Sequence, residues 1–161
     1  MIYIVTGAIR SGKTTALFKW CNNRNDVDGL LCPDAKDGKR YFLKVKQKDR
    51  FTLEANNNDE DSIEIGHFKF LKSAFNEANT FLNSIASNKE NKYIVIDEIG
   101  KLELKNEGLH LSADTLISKF KLDENQHVIL VVRDYLFDAV MKHYTISDYY
   151  LLNKEDLESF F

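Results

Sequence analysis

The chain has 161 residues, of which 43% are hydrophobic and 29% are charged, and its formal net charge is −3. This length and composition are typical of a globular domain with a proper core, so we expect residues 1–161 to form a single domain. The negative net charge argues against a surface that binds nucleic acid over its whole area. The apolar runs are too short to cross a membrane.

The first residues and the cysteines bear on the cellular compartment. An apolar run begins at Ile2, which leaves no room for a signal peptide. Cys21 and Cys32 match no metal-binding or redox spacing, so we interpret them as reduced thiols. We therefore expect a cytoplasmic protein.

Predicted strands and helices alternate along most of the chain. Strands are predicted at 2–6, 29–33, 40–46, 50–54, 92–96, 127–132 and 148–152, with one more short strand within 63–70. Helices are predicted at 14–24, 71–87, 109–120 and 134–143. The alternation predicts a three-layer α/β fold with a mostly parallel sheet. The strand-rich stretch at about 28–66 is expected to form a small β-rich insert, which includes a polar loop at 56–61.

A glycine-rich motif follows the first predicted strand. Residues 7–14 match the P-loop pattern G-x-x-x-x-G-K-[ST], and they lie between a strand and a helix as the motif requires. The glycines let the backbone approach a polyphosphate, whose oxygens accept hydrogen bonds from the loop N–H groups and the helix N-terminus. Lys13 is predicted to reach the β- and γ-phosphates, and the Thr14 hydroxyl to ligate Mg²⁺. The predicted nucleotide-binding residues are Gly7, Ala8, Ile9, Arg10, Ser11, Gly12, Lys13, Thr14 and Thr15.

Two carboxylates end the apolar strand predicted at 92–96, as in a Walker B strand. Asp97 is predicted to hold Mg²⁺ together with Thr14, and Glu98 to polarise the attacking water as a general base. Neighbouring side chains on a strand face opposite ways, but the chain turns at the strand end, so both can serve one pocket. Ligands of such sheets bind at the carboxyl ends of the strands.

The residues around this motif resemble a known family. Residues 97–104 read Asp-Glu-Ile-Gly-Lys-Leu-Glu-Leu and, with the P-loop at the N-terminus, they resemble the small thermophile-type P-loop nucleoside triphosphatase family over most of the chain. Residues 38–42 are similar to its Gly-x-Arg-x-Gly-Phe segment, except for Phe42 where glycine is usual. Cys-Pro-Asp at 32–34 replaces the family's Glu-Val-Arg. The resemblance implies a P-loop fold, a catalytic glutamate and Mg²⁺-dependent hydrolysis of several nucleoside triphosphates.

Two arginines are further candidates. Arg133 ends the strand predicted at 127–132, so it is expected near the γ-phosphate and joins Lys13 and Glu98 as a predicted catalytic residue. Its alternative is a salt bridge to Asp134 or another nearby acid. Arg10 can either contact phosphate or pair with Glu98.

The segment at 36–50 is rich in lysine and arginine. Lys44, Lys46 and Lys48 alternate with other residues, so they are expected to share one strand face. They are either a patch for an anionic partner such as nucleic acid or a lysine-rich edge strand that blocks edge pairing, and we favour the edge strand. We assign no site role to the histidines, which are His67, His110, His127 and His143.

Several functions fit these motifs. We favour a Mg²⁺-dependent hydrolase that converts a nucleoside triphosphate to diphosphate and phosphate with broad base specificity. A guanine-nucleotide switch is the first alternative, because Asp97-x-x-Gly100 and Asn153–Asp156 match D-x-x-G and N-K-x-D. A small-molecule kinase, or an adaptor that binds nucleotide without turnover, is also open. The sequence leaves oligomeric state and protein partners open.

Overall fold

The structure is a computed structural model that describes residues 1–56 and 61–159. Within these residues the strands are β1 (Ile2–Gly7), β2 (Val27–Leu31), β3 (Tyr41–Lys44), β4 (Arg50–Thr52), β5 (Ser62–Ile65), β6 (Phe68–Leu71), β7 (Tyr93–Ile99), β8 (His127–Arg133) and β9 (Tyr150–Leu152). The α-helices are α1 (Lys13–Asn22), α2 (Lys72–Ile85), α3 (His110–Phe120) and α4 (Phe137–His143). Short 3₁₀ helices lie at Glu103–Lys105, Asp134–Leu136 and Lys154–Glu158.

The main sheet has the strand order β4-β3-β2-β7-β8-β1-β9 in the part of the chain that the structure describes. The strands from β2 to β9 in this order are parallel, and β3 and β4 are antiparallel at one edge. Strand β8 lies between β1 and β7, with Gly7 opposite Arg133 and Ile96 opposite Leu130. The carboxyl ends of these three strands therefore meet at one edge of the sheet.

Hydrophobic clusters cover both faces of the sheet, because successive strand side chains point to opposite sides. On one face, strand residues such as Ile4 pack with α2, α3 and α4. On the other face, Val5 packs with Leu17 and Trp20 of α1 and with Leu157. Helices on both faces of a mostly parallel sheet confirm the three-layer α/β prediction.

The stretch expected to be a β-rich insert is divided between two sheets. Strand β2 was expected within the insert, but it pairs in parallel with β7 in the main sheet. In the fold, Asp28 is buried and accepts a hydrogen bond from the Gly29 N–H (2.8 Å). A Cβ on Gly29 would lie 2.2 Å from the Val95 carbonyl oxygen, so this close strand pairing requires glycine.

Residues 63–70, predicted to hold one strand, contain the two strands of a separate hairpin. Strands β5 and β6 pair in a two-stranded sheet of their own, around a turn in which Gly66 has φ +61°. Glycine reaches this left-handed conformation easily, which lets the chain reverse. Of the polar loop predicted at 56–61, residues 57–60 lie outside the described residues.

Lys44, Lys46 and Lys48 do not share one strand face, and the lysine-rich segment does not form the edge strand of the sheet. Both expectations are therefore wrong. Strand β3 ends at Lys44, a turn follows, and β4 forms the edge of the sheet. Lys44, Lys46 and Lys48 donate to three separate side chains, which are Glu77, Asn91 and Asn22.

Candidate active site

The P-loop connects β1 to α1 through two glycines in unusual backbone conformations. Gly7 has φ +152° and Gly12, at the start of α1, has φ +86°. The Lys13 side chain bends back over the loop, where its Nζ donates to the carbonyl oxygens of Gly7 (2.9 Å) and Ala8 (2.7 Å) and to Ser11 Oγ (3.3 Å). The loop therefore holds the ammonium group among its own oxygens, at the position where a phosphate would meet it.

Asp97 links three elements at the carboxyl edge of the sheet. Its Oδ2 accepts hydrogen bonds from Thr14 Oγ1 (2.8 Å) and from the Cys32 N–H (3.0 Å). Its side chain is buried, and this burial raises the pKa of Asp97 to about 6. The predicted pair of Mg²⁺ ligands, Thr14 and Asp97, is thus in direct contact.

The donor set at this point fits Mg²⁺. A hydroxyl and a carboxylate are hard oxygen ligands, and Mg²⁺ in nucleotide sites takes its remaining ligands from phosphates and water. In residues 1–56 and 61–159, no group of three or more His, Cys, Asp or Glu side chains is arranged to hold a metal. Thr14 and Asp97 are the two residues here that would hold Mg²⁺ bound with a nucleotide.

A β-bulge turns Glu98 into the same cleft as Asp97. The pairing of β7 with β8 shifts between Ile96 and Ile99, and Glu98 has φ +70°. A bulge inserts one extra residue and redirects the side chains beside it. The predicted turn of the chain at the strand end is thus a bulge inside β7.

Two arginines share the carboxylate of Glu98. Arg40 Nη1 donates to Glu98 Oε2, and Arg133 Nη2 donates to Glu98 Oε1. We call these three residues the arginine–glutamate cluster. Arg133 pairs with Glu98 rather than with Asp134, and Arg10, the other partner considered for Glu98, is exposed with φ +57°.

The P-loop and the arginine–glutamate cluster line one cleft of about 610 Å³. The predicted residues from Ile9 to Thr15 face this cleft, together with Asp97, Glu98 and Arg133. Gly7 and Ala8 do not line this cleft, and their carbonyl oxygens accept hydrogen bonds from Lys13, which does. The fold therefore brings the predicted phosphate-binding, metal-binding and catalytic residues together.

A match to a protein-family model shows the family of this chain. A family model described as NTPase matches residues 2–156. The chain belongs to this NTPase family. Membership supports hydrolysis of nucleoside triphosphates in general, and it confirms the resemblance found in the sequence. None of the curated proteins compared with this NTPase matches it.

Two solved structures share the fold of this NTPase. The crystal structure of THEP1 from the hyperthermophile Aquifex aeolicus is 18% identical, with a TM-score of 0.73, and the match covers 100% of this chain and 97% of that one. The solution structure of a human cancer-related nucleoside triphosphatase is also 18% identical, with a TM-score of 0.69 and coverage of 98% and 94%. In the described part of the NTPase, no helix has the length and hydrophobicity needed to span a membrane.

The C-terminal Asn153–Asp156 segment lies beside the P-loop of the NTPase. Lys154 Nζ donates to the Ser11 carbonyl oxygen at 2.6 Å. Asn153 and Asp156 form a capping box at the start of the last 3₁₀ helix, in which each side chain accepts the other's backbone N–H. The two side chains that would read guanine in an N-K-x-D motif are thus bonded to the backbone.

The residue that sequence reasoning missed is Arg40, to which it assigned no role in the site although it lies in a basic segment and in the family-like segment at 38–42. Its backbone N–H donates to Glu54 Oε1 (3.1 Å), and its Nε lies 3.7 Å from Asp34 Oδ1. These contacts hold the guanidinium against Glu98. The family-like segment at 38–42, whose arginine is Arg40, was the signal that could have found it.

Proposed function

We propose that this NTPase hydrolyses nucleoside triphosphates to diphosphates and inorganic phosphate, with Mg²⁺ as cofactor and broad base specificity. The observation that carries the proposal is the direct contact between Thr14 of the P-loop and Asp97, beside Glu98 in the same cleft. This arrangement offers a phosphate-binding loop, a metal-binding pair and a candidate base within one cavity.

Substrate binding uses groups that are already oriented. The loop N–H groups and the N-terminus of α1 favour phosphate oxygens, and Lys13 adds a full positive charge. When bound, Mg²⁺ supplies positive charge at the β- and γ-phosphate oxygens. The Asp97 side chain is 3% exposed, and this burial holds it beside Thr14, where both residues can bind that ion.

The arginine–glutamate cluster supplies the base and two cations. A triphosphate competes with Glu98 for Arg40 and Arg133, because all three side chains line the cleft. An arginine drawn to the γ-phosphate stabilises the charge that develops on it. The carboxylate released from that arginine then accepts the proton of the attacking water.

Broad base specificity is supported by the contacts of the Asn153–Asp156 segment, which lies beside the P-loop. Asn153 and Asp156, the candidate guanine-reading pair, are engaged in helix capping. Among the contacts that the structure describes, Lys154 is the one side chain of the Asn153–Asp156 segment that reaches the P-loop. It donates to a carbonyl oxygen there. A strict GTP requirement with tight retention of GDP would instead support the guanine-nucleotide switch.

The deciding experiment measures phosphate release from ATP, GTP, CTP and UTP, with and without Mg²⁺. We expect release from several nucleotides, and none without the metal. Glu98→Gln is expected to bind nucleotide normally and to lose about 10²-fold or more in turnover, the usual scale for a lost general base. The matched control is Glu124→Gln, an exposed glutamate before β8 at the opposite edge of the sheet. Turnover at the wild-type rate in Glu98→Gln would remove Glu98 from the mechanism.

We also propose a cytoplasmic location, which is supported by two buried free thiols, Cys21 and Cys32. Binding of nucleic acid by the 36–50 segment is not favoured, since Lys44, Lys46 and Lys48 already have side-chain partners.

A further inference from the structure

A second cavity, of about 250 Å³, adjoins the nucleotide cleft on the far side of the arginine–glutamate cluster. Arg40, Glu98 and Arg133 line both spaces. The other walls are mainly apolar and aromatic, and they include Phe42, Leu53, Phe68, Phe70, Phe75 and Leu109. The carboxylate proposed as the base therefore lies between the phosphate site and an apolar space.

The lining of this cavity is that of a small-molecule site. Such sites combine apolar and aromatic walls with a few convergent polar groups, and here Arg40, Glu98 and Arg133 supply charged groups at the wall shared with the cleft. A cavity of about 150 Å³ is enough to bind benzene, so this cavity of about 250 Å³ has room for one substituted ring. Hydrolysis needs only a water molecule at Glu98 and gives no reason for an aromatic chamber beside it.

The hairpin of β5 and β6 forms one side of this cavity. Phe68 stacks on Phe70 with ring centroids 5.6 Å apart, and the Arg40 guanidinium lies 5.4 Å from the Phe68 ring centroid. The hairpin turn, with Gly66 and the exposed His67, reaches the cavity as well. The hairpin pairs in a two-stranded sheet of its own, and residues from both of its strands line this cavity.

We propose that this cavity binds a small alcohol with a single-ring apolar body, and that its hydroxyl accepts the γ-phosphoryl group in place of water. The hydroxyl oxygen forms a bond to the γ-phosphorus, and the bond from that phosphorus to the β–γ bridging oxygen breaks. The electron pair leaves with the nucleoside diphosphate, and the hydroxyl proton passes to the Glu98 carboxylate. The proposal rests on the nucleotide site and the base described under Proposed function, and hydrolysis is then the reaction that occurs without an acceptor.

The first arm of the test measures binding without nucleotide. The probes are benzyl alcohol and cyclohexylmethanol, observed by saturation-transfer NMR with the wild-type protein. We expect at least one probe to bind the wild type. Ile65 is half-buried and lines the cavity, so Ile65→Trp places a larger side chain there and is expected to abolish binding. Glu64→Trp places the same side chain at the neighbouring exposed position of β5 and is expected to bind like the wild type.

The second arm measures transfer. With labelled ATP, Mg²⁺ and the bound probe, we expect its phosphate ester beside inorganic phosphate, in a ratio that saturates with probe concentration. Ile65→Trp is expected to lower the ratio of ester to phosphate at least about tenfold, and Glu64→Trp to leave it unchanged.

The outcomes separate this inference from the proposed function. Hydrolysis that continues without binding of either probe, or with binding and no ester, overturns the acceptor proposal. Probe binding that Ile65→Trp abolishes, in a protein that hydrolyses no nucleotide, supports the cavity as a ligand site and overturns the proposed hydrolase function.

Discussion

The P-loop and the arginine–glutamate cluster lie on facing sides of one cleft, but they are built in opposite ways. Contacts within the P-loop join near neighbours, such as Lys13 with Gly7 and Ala8, which are six and five residues away. In the cluster, Glu98 meets Arg40 across 58 residues and Arg133 across 35. The P-loop depends on its own glycines, whereas the cluster depends on the order of the strands.

The two regions also differ in how they hold charge. The Lys13 ammonium rests among neutral carbonyl oxygens, while two guanidinium groups share one carboxylate in the cluster. A bound triphosphate therefore meets an available cation on the P-loop side and cations already paired on the other side. We expect substitutions in the P-loop to weaken binding and turnover together, and substitutions in the cluster to act mainly on turnover.

Lys13→Ala should break the P-loop side and have the largest effect. We expect a loss of about 10³-fold in turnover together with weaker nucleotide binding, because the variant loses the positive charge that Lys13 offers to the phosphates. Phosphate release and a nucleotide titration measure the two effects. Lys19→Ala, at an exposed position in the last turn of α1, is the matched control. Normal binding by Lys13→Ala would contradict the contrast between the two regions.

Arg40→Ala and Arg133→Ala should act on the other side of the cleft. We expect each to lower kcat by about 10²-fold with a small change in KM, since the arginines stabilise charge that grows during the reaction. In a double-mutant cycle with Glu98→Gln, the losses should fall short of additive because the three groups act as one unit. Arg50→Ala, an exposed arginine on β4, is the control. A wild-type kcat in Arg40→Ala would leave Arg133 as the one functional arginine of the cluster.

Glu103→Ala should test the support beneath the cluster. The Glu103 side chain is buried and accepts hydrogen bonds from the backbone N–H groups of Gly100 (2.8 Å) and Leu109 (2.9 Å). Its loss leaves the half-buried Gly100 N–H and the buried Leu109 N–H without a partner, so we expect the free energy of unfolding to fall by about 2–4 kcal/mol. Urea unfolding measures this loss, with the exposed Glu107→Ala as control. A loss below about 0.5 kcal/mol would show that water satisfies both donors.

The smallest effect should come from His127, which lies at the start of β8, at the opposite end of that strand from the cleft. Burial lowers the pKa of His127 from its ordinary 6.5, so the unfolded chain binds a proton there at a higher pH than the folded chain does. Stability from this group is therefore present above pH 6.5 and is lost as the pH falls through the folded pKa. We expect His127→Phe, which keeps a ring against Tyr3 and Tyr93, to lose less stability than the wild type between pH 7.5 and 5.5. Parallel losses in the two proteins would contradict this origin of the pH dependence.

Most of the architecture and part of the site were predictable from local patterns. Hydrophobic periodicity predicted the alternation of strands and helices, and the two solved structures with this fold confirm it. Strand β2 overlaps the strand predicted at 29–33, but its placement in the insert was wrong, because it pairs with β7 through a close approach that makes glycine necessary at Gly29. The hairpin of β5 and β6 was missed because its turn has only two residues, Gly66 and His67, between two strands of four residues each.

The sequence by itself determined the P-loop and the pair Asp97 and Glu98, since the spacing and the backbone preferences that define them lie within a few consecutive residues. Only the tertiary structure decided which cations meet Glu98, because those pairs form where β3 begins and the parallel strands β7 and β8 end. It also decided that Arg40 of the basic segment lines the nucleotide cleft and that an apolar cavity adjoins Glu98. Contacts between residues far apart in the chain follow from strand order and register, and neither is encoded in any one local pattern.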